Sequence, residues 1–65
     1  DEFILKTKTN NKKTIVIQDI FGKIYFTQKS TETDFRIDTS NFSNGIYFVK
    51  VYDKKSVESV KVIKV

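Results

Sequence analysis

The 65-residue chain has no Cys, no His, no Met, no Trp and no Pro, and only two Gly. Each absence removes a class of chemistry. Without Cys there is no disulfide framework, and without Cys and His the usual zinc ligands are missing. The common nucleophile–base pairs, in which His activates Ser or Cys, cannot be assembled. With only Gly22 and Gly45 there is no Gly-rich phosphate loop, and no Asp-x-Asp-x-Asp-Gly run offers a calcium cage. The eight carboxylates are scattered. Ser30, Ser40, Ser43, Ser56 and Ser59 lie in or beside polar turns, where capping of backbone amides accounts for them. No catalytic residue, cofactor site or metal ligand is therefore assigned, and an enzyme fragment ranks last among the functions considered. No apolar run approaches the ~20 residues that a membrane-spanning helix needs, and no charged-then-apolar leader is present. The sequence opens on Asp1, not Met, as expected of a fragment or a processed product, with any export signal lying upstream.

What remains is one small domain, residues 1–65, with a net charge of +4. A chain this short buries only about 60% of its unfolded surface, so marginal stability is expected. Arg36 is the one Arg among twelve basic residues, and the lysines are spread along the whole chain. Spread lysines read as solvated positions and as guards against edge-to-edge strand pairing, more than as a nucleic-acid footprint.

The apolar residues alternate in short runs, which predicts strands over 2–8, 14–20, 23–29, 34–38, 44–52 and 57–65. The run 44–52 is the longest and opens on the turn dipeptide Asn44-Gly45. Its Tyr47, Val49 and Val51 form one face, expected to be core, against Ile46, Phe48, Lys50 and Tyr52 on the other. Ile15 with Ile17, Ile24 with Phe26, and Phe35 with Ile37 are the corresponding pairs elsewhere. In the last run either Val60 and Val62 or Ile63 and Val65 point inward, because a slip of one residue exchanges the two sets. Polar turns separate the runs at 10–13, 19–23, 28–33, 38–43 and 53–56. Asp19 and Asp38 are expected to accept turn amides, Gly22 to take a positive φ, and Phe42 to drop into the core. Six strands with no sustained helical period predict an all-β antiparallel sandwich. Tyr25, Phe48 and Tyr52 are expected to be partly exposed, and a generic adhesion or carbohydrate-binding module would use them. An unpaired edge also allows an edge-strand dimer.

The ordered residues carry a resemblance. Ile15-x-Ile17-x-Asp19-Ile20-x-Gly22-Lys23 is followed by Ile37-Asp38-x-Ser40-x-Phe42-x-x-Gly45-Ile46-Tyr47-x-Val49-Lys50-Val51 and then Lys61-Val62-Ile63-Lys64. This pattern resembles the type A C-terminal sorting domain of the Bacteroidetes type IX (Por) secretion system, over nearly the whole chain. The family's opening Asn-Pro motif is missing, so the chain is expected to begin just inside the family boundary. Thr39 and Phe42 stand where the family more often has Leu, and Val65 where Lys or Gln is frequent. The resemblance implies a small immunoglobulin-like β-sandwich of six to seven short strands, covalently fused to an upstream cargo. It implies passage through the periplasm and arrival at the cell surface or outside the cell. The implied partners are the outer-membrane translocon and shuttle components of the secretion system and a sortase-like peptidase that removes the domain. By matching positions, Asp19, Gly22, Asp38, Gly45, Tyr47, Val49 and Val51 are structural motif residues. Lys50, Lys61 and Lys64 are the choices for direct recognition.

Overall fold

A computed structural model describes residues 2–7 and 11–65 of the chain. The described residues form six strands: β1 (Glu2–Lys6), β2 (Lys13–Asp19), β3 (Ile24–Ser30), β4 (Asp34–Asp38), β5 (Gly45–Tyr52) and β6 (Val57–Lys64). All pairs are antiparallel. β3-β2-β5-β6 form one sheet and β1-β4 a second, the layout of a small all-β sandwich. Lys8 and Asn10, expected at the end of the first strand and in the first turn, lie outside the described residues.

Alternation explains the core. Opposed residues of an antiparallel pair point to the same side. Ile15 and Ile17 of β2 therefore share a face with Val51 and Val49 of β5, while Phe35 and Ile37 line the inner face of β4. Ile15, Ile17, Phe35, Ile37, Tyr47 and Val49 make up the buried cluster, with Leu5, Phe26, Phe42, Val51 and Val62 packed at its margin. Val51, expected at the core, is only half-buried at the end of its strand.

Two expectations about facing are corrected or resolved. Ile24 does not share Phe26's face. The β2–β3 register shifts between Ile17 and Gln18, so Phe26 opposes Ile17 but Ile24 opposes Gln18 on the outer side. Such a bulge inserts one residue and turns the following side chain over. The inserted residue is Tyr25, whose ring then reaches Phe42 and Tyr47, at 5.4 Å from each. In β6, Val60 opposes Val49 and Val62 opposes Tyr47, so the first of the two registers is the one adopted. Ile63 and Val65 are exposed.

The sheets are unequal. Two strands face four, so the inner side of β6 is incompletely covered, and Val60 is 51% exposed although it points toward the core. Lys13 is also a correction. Expected in a solvated turn, it is 2% exposed, with its Nζ donating to the Glu32 carbonyl at 2.8 Å and lying 5.9 Å from the centre of the Phe35 ring. A long apolar stem buries well if its ammonium finds an acceptor.

Candidate functional site

Three turns are each built on one aspartate. Asp19 Oδ1 accepts the amides of Phe21 and Lys23 at 2.9 and 3.0 Å, and its Oδ2 accepts the Tyr25 hydroxyl at 3.2 Å. Gly22 completes this hairpin with φ +88°, a conformation L side chains rarely adopt. Asp38 Oδ1 accepts the Ser40 amide at 2.9 Å. Asp53 Oδ1 accepts the amides of Lys55 and Ser56, both at 2.8 Å. A carboxylate that accepts amide hydrogens is stabilised in its charged form. At Asp19, partial desolvation pushes the carboxyl up, but the Lys23 and Phe21 amides, the Tyr25 hydroxyl and the Lys23 charge outweigh it, leaving it below its usual range. The Ser40 amide and hydroxyl lower Asp38, with the Lys64 charge assisting. The Lys55 and Ser56 amides lower Asp53.

All three folded values lie below the unfolded value of about 3.9. Their stabilisation is therefore complete above that pH and is lost as the pH falls through the folded values. Urea midpoints should hold steady from neutral pH down to about 5 and fall below about 4. The triple variant Asp19→Asn/Asp38→Asn/Asp53→Asn should lose most of that drop. A wild-type midpoint that is flat to pH 3 would contradict this.

Around Tyr47 the motif residues converge. Tyr47 is buried, its hydroxyl donates to the Ser43 carbonyl at 2.6 Å, and its ring sits 5.0 Å from Phe42. Gly45 precedes it with φ +153°. Phe42 and Thr39 face inward. Phe42 packs at the margin of the core and Thr39 is 8% exposed. A cleft of about 360 Å³ opens beside them, lined in part by Glu2, Thr39, Phe42, Val62 and Lys64.

The three lysines chosen for recognition do not act alike in the structure. Lys64 opposes Gly45 on the inner side of β6. Its Nζ donates to the carbonyl of Thr39 and, at 2.8 Å, to that of Phe42. The reading of the lysines as solvated positions is corrected for Lys64: it fastens the last strand to the β4–β5 connection. Lys50 and Lys61 lie on the opposite, outer face of the sheet. Lys61 opposes Phe48, and Lys50 opposes Val16 on one side and Ser59 on the other. Lys61 is exposed and Lys50 half-buried. The stacking candidates are likewise divided. Tyr25 packs beside Tyr47 at the inner side, whereas Phe48 and Tyr52 lie on the outer face, about 13 Å apart along β5. They form no common platform.

The body is all-β, its motif residues lie in turns and core, and no helix among the described residues is long and apolar enough to cross a membrane. The chain belongs to the secretion system C-terminal sorting domain family, whose model matches residues 1–65. The family is that of a sorting signal of type IX secretion, not of an enzyme, and it marks a protein fused to a cargo and exported to the cell surface or secreted. The comparisons with curated proteins and with solved structures find no match.

Proposed function

We propose that the folded domain is read in the periplasm and at the outer membrane by the translocon and shuttle components of the type IX machinery. A sortase-like peptidase then removes it, and the cargo is released or joined to the surface. The observation that carries this reading is the family match across residues 1–65 on a folded body. Its motif residues Asp19, Gly22, Asp38, Gly45, Tyr47, Val49 and Val51 occupy turns and core. They hold the label's shape. Among the lysines, Lys50 and Lys61 make the direct contact in this reading, and their position on the outer face supports it. Lys64 acts through the fold, because its ammonium is committed to two carbonyls.

The test is a fusion of residues 1–65 behind a periplasmic reporter in a bacterium that has this secretion system. The expected result is reporter outside the cell, in a form shortened by loss of the domain. Reporter that stays in the periplasm with the domain folded would overturn the reading.

A further inference from the structure

The strand registers determine which side chains share the outer face of the four-stranded sheet. Gln18, Phe48 and Lys61 form one row, joined by Ile24 from β3. Val16, Lys50 and Ser59 form the next, and Ile46 opposes Ile63 at the end of the sheet. Two properties set this face apart. Its charged residues are Lys29, Lys50 and Lys61, with no carboxylate among them. The carboxylates of the described residues all lie elsewhere. Glu2, Asp34 and Asp38 are on the other sheet, Asp19, Glu32 and Asp53 are at turns or strand ends, and Glu58 opposes Val51 on the inner side.

The face is also unusually apolar for an exposed surface. Ile24 is 58%, Ile46 38% and Ile63 61% exposed around a half-buried Phe48. The β2–β3 turn extends the apolar patch from the same end, where Ile20 and Phe21 line a cleft with Ile46, and Asp19 at the foot of that cleft is the nearest carboxylate to it. Clustered apolar exposure of this kind marks an interaction surface more often than scattered exposure does.

The geometry points to this face as the docking surface for a protein component of the secretion machinery, one that is apolar at its centre and carries carboxylates that meet Lys50 and Lys61. The inference rests on the sorting-signal reading and names the surface and chemistry by which the signal is read. Lys50 and Lys61 are diagonal neighbours on adjacent strands, about 7–8 Å apart and somewhat closer at their Cβ atoms. Lys50 sits on an inner strand beside Val16, and Lys61 on the edge strand β6 opposite Phe48, so apolar side chains adjoin both. That fixed spacing suits a protein surface with two placed carboxylates. A fluid layer of anionic headgroups needs no such register.

The reporter fusion tests it, with wild type as the reference. Lys50→Glu/Lys61→Glu should lower external reporter at least about tenfold, because like charges set against each other across an interface repel strongly. Lys50→Arg/Lys61→Arg should keep export, and Ile46→Ser/Ile63→Ser should lose it. Ile4→Ser/Lys6→Glu, on the other sheet, should export as wild type does. Thermal unfolding of each purified domain establishes that it is folded; if the isoleucine pair does not fold, the surface lysine pair decides. Wild type exported together with a folded, equally exported Lys50→Glu/Lys61→Glu overturns the docking face and leaves the sorting reading standing. Wild type retained in the periplasm overturns both. Sedimentation of the wild-type domain with phosphatidylglycerol vesicles at about 0.15 M salt, abolished by Lys50→Glu/Lys61→Glu, would overturn the protein partner in favour of an anionic lipid surface.

Discussion

Tyr47→Ala is expected to leave the domain largely unfolded at 25 °C. Truncating a buried aromatic side chain costs about 3–5 kcal/mol. A single core of this size rarely supplies more than ~3–5 kcal/mol of stability, and this chain has no disulfide to add to it. Tyr47 is also a hub. Its ring holds Tyr25 and Phe42, and its hydroxyl ties β5 to the preceding connection at Ser43. Tyr47→Phe keeps the ring and loses the hydroxyl, so it should cost only about 1 kcal/mol. With a urea slope of about 1 kcal/mol/M, circular dichroism should show the phenylalanine variant unfolding about 1 M earlier. The alanine variant should show no folded baseline. Equal midpoints for the two variants would mean that the ring carries none of the packing assigned to it.

Lys64→Met is the second. The substitution keeps the length and apolar character of the stem and removes the ammonium. The carbonyls of Thr39 and Phe42 then lose their shared donor, and Thr39 is buried. Hydrogen bonds to a charged group contribute roughly 1.5–3 kcal/mol each. With Lys64 half exposed, solvent screening reduces the pair to about 2 kcal/mol in total. Lys61→Met, on the exposed face, should change stability by less than about 0.5 kcal/mol. The same two variants in the reporter fusion separate the roles. Lys64→Met should lose export in step with its unfolded fraction, and a stabilising background should restore it. Equal urea midpoints for Lys61→Met and Lys64→Met would remove the distinction.

Much of the fold was legible because the inward residues are strictly alternate. Ile15 and Ile17, Phe35 and Ile37, and Tyr47 and Val49 each mark their own face, and aspartates mark the turns. What was not legible depends on pairing. Nothing local to Ile24 and Tyr25 announces a bulge; the shift exists only relative to β2. The last strand places valine or isoleucine on both faces, so its orientation waits on its partner, β5. Lys13 and Lys64 were read as solvated because their acceptors lie 19 to 25 residues away in sequence. The outer face escaped notice for the same reason, since its lysines and isoleucines come from separate strands and meet only in register. The motif residues around Tyr47 could be read from the resemblance, but the separate role of Lys64 could not.

Each sheet is closed by strands that are distant along the chain: Glu2 pairs with Asp38, and Thr14 with Tyr52. Neither closure can be stabilised by a partial chain that lacks the later strand. Such distant pairing makes folding slow for the domain's size and cooperative, with no half-formed state of appreciable population. A cargo thus carries either a finished label or none, and the secretion machinery is presented with an all-or-none signal in place of a graded one.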